Sequence, residues 1–127
     1  MKVLMSIKPL YAEQIFQGKK KYEYRRRIFK RDDVSSLVIY ESAPVSRVVG
    51  EVKVRRILFG APDEIWEKTH LNGGITFDDF EKYFKGCEIG YAIELCNPTV
   101  YDRSMPISSI VGVSSRPPQS FMSRCLI

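Results

Sequence analysis

The sequence predicts an α+β fold, a mixed or antiparallel β-barrel with helices inserted between its strands. Three observations lead there. The chain has 127 residues, which suits a single domain spanning 1–127. Short apolar runs read as strands, and segments with helical spacing fall between them. Few of these segments form βαβ units, which disfavours a doubly wound parallel sheet. Apolar residues make up 44% and charged residues 28%, ordinary globular values that exclude global disorder.

The elements follow in order. Lys2 to Ile7 is a short apolar strand. Pro9 sits where a first helical residue belongs, and Tyr11, Ala12, Ile15 and Phe16 make an apolar stripe at helical spacing. Gly18 closes that helix as a left-handed cap. Lys21 to Ile28 reads as a strand, with Lys21, Glu23, Arg25 and Arg27 on one face and Tyr22, Tyr24, Arg26 and Ile28 on the other. Ser36 to Tyr40 is a buried strand, ended by the turn Glu41-Ser42-Ala43-Pro44. Arg47 to Leu58 is a long strand in which Gly50 marks a bulge or a close backbone approach. Pro62 opens a helix running to about Thr69, with Asp63 and Glu64 in its favourable first turn. After the loop Asn72-Gly73-Gly74, Thr76 caps a further helix, with Asp79 in the capping-box position and Gly86 at its end. Ile89 to Cys96 is an apolar strand stopped by Asn97-Pro98. The tail holds a short apolar turn, Ile107 to Val111, and a strand-like Gln119 to Met122.

Charge is distributed unevenly. Between Gly18 and Arg31 lie eight cations and one anion, Glu23. That window carries +7 in a chain of net +5, so the rest of the molecule sums to −2. A mildly acidic body with one strongly basic segment points to a polyanionic partner, most commonly nucleic acid. Cations on a strand also guard an exposed sheet edge, which is the structural alternative.

Other functions find little support. The N-terminus reads as a buried strand rather than an export segment, and no apolar run approaches the roughly 20 residues that cross a bilayer. Cys87, Cys96 and Cys125 are odd in number and lack CxxC spacing, and His70 is the sole histidine. Neither a zinc site nor a Ser-His-Asp triad follows, and no cofactor is implied. Free thiols fit a reducing compartment, so the expected location is cytoplasmic. Asn72-Gly73-Gly74 lacks the Gly-Lys-Ser/Thr of a phosphate loop. Trp66 is expected in the core or as a lid contact, and Glu51 either in a cleft or on a solvated strand face.

The segment Gly18-Lys19-Lys20-Lys21-Tyr22-Glu23-Tyr24-Arg25 carries the chemistry. A carboxylate between cations stays ionised and holds its neighbours in place. The lysines and Arg25 then suit phosphate, and Glu23 suits the amino group of a base. The spacing G-x-K-x-x-E-x-R at Gly18, Lys20, Glu23 and Arg25 resembles the signature of the ASCH domain family, relatives of the PUA RNA-binding fold. Further pieces resemble it in the same order, across nearly the whole chain: Ser6-Ile7-Lys8-Pro9, the Ile39 to Pro44 turn, Val49-Gly50-Glu51, Gly90-Tyr91-Ala92-Ile93 and Pro117 to Phe121.

The resemblance implies a PUA-like barrel with a cleft walled by the motif strand, and a role in RNA metabolism or in regulating translation or transcription. The cleft would hold Lys8, Lys20, Glu23 and Arg25, with Arg27 among the cations that grip RNA. Tyr40, Ser42 and Gln119 or Ser120 would sit at its rim. Tyr22, Tyr24 and Tyr40 are candidates to stack on bases, with cross-strand packing the stronger expectation for Tyr24. RNA or a nucleotide is the expected partner, with a protein partner using the same cleft as a further option. Some relatives are enzymes that cleave RNA or hydrolyse N4-acetylcytidine. For that alternative Lys20 would be general base or electrophilic stabiliser and Glu23 its acid/base partner, although the amidohydrolases place threonine where this chain has Glu23.

Overall fold

The computed structural model describes residues 1–111 and 121–122. The chain runs β1 (Lys2–Ile7), α1 (Pro9–Phe16), β2 (Tyr22–Arg25), β3 (Ser36–Glu41), β4 (Arg47–Gly60), α2 (Pro62–Thr69), α3 (Phe77–Phe84), β5 (Gly90–Met105), α4 (Ser108–Val111) and β6 (Phe121–Met122). The strands make one mixed sheet in the order β2-β5-β4-β3-β1-β6, curled into a half-barrel. β1 and β3 run parallel, as a crossover through α1 allows. The other neighbouring pairs are antiparallel. The α+β barrel that the sequence predicts is therefore present in a half-closed form. No helix among the described residues is long and apolar enough to cross a membrane.

Alternation along the strands feeds two cores. Val3, Met5, Ile7, Leu37 and Ile39 pack with Ala12 and Ile15 of α1. Leu4, Val38, Tyr40 and Val48 pack in a second cluster with Ile107. A third cluster joins α2 and α3 to the β2–β5 edge through Tyr24, Ile65, Phe80, Phe84 and Ala92.

Gly50 is the close approach its position in a strand implies. A Cβ there would meet the Thr99 carbonyl and lie 2.8 Å from the Phe16 ring. Glu51 joins neither of its expected settings. It accepts from Tyr101 Oη at 2.8 Å and pairs with Lys2 Nζ at 3.1 Å, tying β1, β4 and β5 together.

Three expectations need correction. The strand over Lys21 to Ile28 is only Tyr22–Arg25. Beyond it, the Arg26 N–H donates to the Tyr83 hydroxyl at 3.1 Å, and Phe29 turns into the main core. β5 does not stop at Asn97-Pro98 but runs on to Met105. Glu51 pairs with Thr99 and Lys53 with Cys96, so a bulge absorbs both residues. Asn97 takes the left-handed φ of 50° there, and Pro98 gives up no ladder bond, which is how a strand tolerates proline. Tyr40 does not reach any cleft. It shares the parity of Val38 and is 4% exposed in the second core.

Candidate functional site

The motif segment is placed by the end of α1. The N–H groups of Lys19 and Lys20 both donate to the Gln14 carbonyl at 3.0 and 3.1 Å, and Gly18 turns the chain with φ 79°. That turn sends Lys20 inward, where it is 3% exposed. Its ammonium donates to the Gly73 carbonyl at 2.6 Å. It also lies over the faces of Tyr11 and Tyr24, 5.0 and 4.9 Å from the ring centres, an arrangement whose attraction grows with desolvation. Burial lowers the Lys20 pKa, Arg25 adds to the effect, and Glu23 opposes it.

Two residues apart on β2, Glu23 and Arg25 form a buried ion pair. Arg25 Nη2 lies 2.8 Å from Glu23 Oε2 and donates to the Ser6 carbonyl at 2.8 Å. Removing either member strands a buried charge, a loss of about 3–5 kcal/mol.

These groups border a cleft of about 640 Å³. Lys8, at the N-cap of α1, and Ser42 border it too. Arg27 is exposed but does not line it, because β2 has ended. Lys21 and Tyr22 line a different cavity. Gln119 and Ser120 lie outside the described residues. The opposite wall is α3, whose Asp79, Lys82 and Tyr83 share one face at i, i+3 and i+4. Five cations and two carboxylates thus face the cleft: Lys8, Lys20, Arg25, Arg26 and Lys82 against Glu23 and Asp79. Arg26 stacks over the Tyr83 ring at 4.8 Å. Burial raises the Tyr11 pKa, with Asp79 and Glu23 adding to the rise.

Sequence reasoning missed the contribution of α3 and of the loop before it. In that loop the Asn72 carbonyl accepts from Lys21 N–H at 2.8 Å. A Cβ on Gly73 would meet the Tyr24 hydroxyl, and one on Gly74 would lie 2.6 Å from Gln14 Oε1 and 2.9 Å from Lys20 Cβ. The adjacent glycines were the available signal, since a close backbone approach calls for them. Among the described residues, no group of three or more His, Cys, Asp and Glu side chains could hold a metal ion.

Tyr24 anchors the floor. Thr69 Oγ1 donates to the Ile65 carbonyl at 2.7 Å, so the Tyr24 hydroxyl donates to Thr69, also at 2.7 Å. Its ring packs edge-on against Phe80, 5.1 Å between centres. Burial pushes its pKa up to about 12, above the usual 10.0. The folded state therefore keeps this proton longer than the unfolded chain does, and Tyr24's contribution, full below pH 10, is lost as pH rises from 10 to 12. In urea denaturation Tyr24→Phe should cost about 1 kcal/mol near neutral pH for the lost hydrogen bond. The same variant should lose less stability than wild type between pH 10 and 12.

Comparison with known proteins follows the same lines. A family model for the ASCH domain matches residues 5–99. The chain is 29% identical over 85 residues to an ASCH domain-containing ribonuclease of Zymomonas mobilis, a match covering 67% of this chain and 57% of that protein. It is 23% identical over 91 residues to large ribosomal subunit protein uL22 of Ureaplasma parvum, covering 72% of this chain and 29% of that one. The chain thus spans less than two-thirds of the length of these curated relatives. The crystal structure of ASCH from Zymomonas mobilis superposes with a TM-score of 0.86 at 27% identity, covering 97% of this chain and 87% of that chain.

Proposed function

The chain belongs to the ASCH domain family, and on that premise we propose that it is an RNA-binding protein that grips single-stranded or structured RNA in the cleft between β2 and α3. The observation that carries this is the buried Lys20, Glu23 and Arg25 set, bordered by the cations Lys8, Arg26 and Lys82. An ammonium has three donors, and Lys20 commits one to the Gly73 carbonyl. The others serve a phosphate or a base oxygen. Glu23, held by Arg25, accepts from a base amino group. Lys8, Arg26 and Lys82 meet the backbone, and Arg27 adds long-range attraction.

A second reading has its own support. Burial lowers the Lys20 pKa, which suits a lysine to proton transfer, and a relative 29% identical is named a ribonuclease. In that reading Lys20 is the general base or electrophilic stabiliser for hydrolysis of RNA or a modified nucleoside, with Glu23 as its acid/base partner.

One experiment separates them. Labelled single-stranded and hairpin RNA is titrated at about 50 and 200 mM salt, and the RNA is then run on a gel. Three phosphate contacts predict a fall in affinity of roughly 20-fold between those salts. Intact RNA supports the binding protein. Cleavage that disappears in Lys20→Met supports the enzyme, and an affinity indifferent to salt defeats the electrostatic grip.

A further inference from the structure

Lys20 lines two cavities. The second, about 250 Å³, is bordered by Lys21, Tyr22, Arg55, Glu94, Asn97 and Pro98, among others. It draws on features the first cleft leaves unused: the flanks of the lysine triplet, Tyr22 and the bulge in β5.

Its chemistry matches a nucleotide. Glu94 is the one carboxylate among the described residues that line it, and that charge is already met. Arg56 Nε lies 2.8 Å from it and Arg55 Nε 3.6 Å, with both arginine side chains more than 60% exposed. Lys21 is exposed, as is Lys19 on the other side of buried Lys20. Lys53, two residues before Arg55 on β4, is exposed too. The mouth is therefore net positive. Tyr22 is half-buried there, a π-face on which a base can stack irrespective of sequence. Asn97 is exposed at the bulge with φ 50°, and its amide offers both a donor and an acceptor to a base edge.

We propose that this cavity is a second nucleotide subsite for the same RNA. The strand occupies the cleft, crosses the Lys19-Lys20-Lys21 turn with its phosphates between the exposed lysines, and seats a further base beside Tyr22 and Asn97. Arg55 and Lys21 hold the phosphate that accompanies it. Lys20, buried between the two cavities, is the partition over which the strand passes. The inference rests on the RNA reading of the cleft.

Anisotropy titrations with a fluorescein-labelled trinucleotide and a decanucleotide test it. Wild type should bind the decanucleotide more tightly. The double variant Lys21→Gln/Arg55→Gln should weaken the decanucleotide roughly tenfold and flatten its log–log salt slope by about 1.4, the value for two single-strand phosphate contacts. Trinucleotide affinity should stay within twofold. Asn97→Gly, which suits the left-handed backbone, should reduce discrimination among homopolymer decanucleotides. Exposed Lys85, at the C-cap of α3 and outside both cavities, serves as the control through Lys85→Gln. If the double variant loses no more decanucleotide affinity than Lys85→Gln, or loses trinucleotide affinity equally, the second subsite is wrong and the cleft reading stands. Wild-type protein that binds neither oligonucleotide overturns both.

Discussion

Lys20→Met should lower RNA affinity about 100-fold while costing the fold little. If the cleft binds RNA as proposed, the expected loss is that of a desolvated charge that would meet the ligand, an effect of about 3 kcal/mol. The small structural effect follows from the direction of the pKa. Burial holds the Lys20 pKa below its usual 10.5 even with Glu23 nearby, so the site disfavours the ammonium on balance. Methionine keeps the stem against Tyr11 and Tyr24 and relieves that penalty, though it leaves the Gly73 carbonyl without its donor, a cost of about 1–3 kcal/mol. The two changes oppose each other. A buried cation retained against stability is what a binding or catalytic role requires.

The pH dependence of stability gives an independent check. With its pKa lowered in the folded state, Lys20 releases its proton there before the unfolded chain does. Between the lowered value and 10.5 the unfolded state holds more protons, so stability rises with pH. Wild type should show this rise and Lys20→Met should lack it. The comparison belongs below pH 10, where Tyr24 does not yet act in the opposite direction. A rise of equal size in both proteins would mean that Lys20 is not the group responsible.

Much of this arrangement was legible in the chain, and the parts that were not share a cause. Local signals placed α2 at Pro62–Thr69 and the cap of α3 at Thr76, whose hydroxyl accepts from Asp79 N–H at 3.2 Å. Spacing and resemblance together brought Lys8, Lys20, Glu23, Arg25 and Ser42 to one cleft. Tyr40 went astray because β3 is apolar on both faces, so alternation alone does not say which core each residue joins. Pro98 looked like a stop because the bulge that accommodates it depends on the register against β4. The wall formed by Asp79, Lys82 and Tyr83 depends on how α3 docks across the β2 edge, a contact between segments more than fifty residues apart. What escaped the sequence was long-range register and docking.

The Gly73-Gly74 pair shows how such a contact can be tested through its chemistry. Gly73→Ala should destabilise the fold by about 2–3 kcal/mol through overpacking and weaken RNA binding with it. The backbone is not the cause, since Gly73 has φ −82°, which any residue adopts. The new Cβ would instead meet the Tyr24 hydroxyl, with Tyr24 Cζ at 3.1 Å as the next neighbour. Either Tyr24 moves and loosens its bond to Thr69, or the loop moves and carries the Gly73 carbonyl away from Lys20. Tyr24→Phe removes the offending oxygen. The double variant Gly73→Ala/Tyr24→Phe should therefore be less destabilised than the sum of its parts by at least about 1 kcal/mol in a denaturation cycle. It should also recover RNA affinity toward that of Tyr24→Phe alone. Gly74→Ala, with φ 65° and Lys20 Cβ in its way, should find no such relief in the same background. Strict additivity for Gly73 would show that the loop does not lie on Tyr24, and Lys20 would then need another partner for its proton.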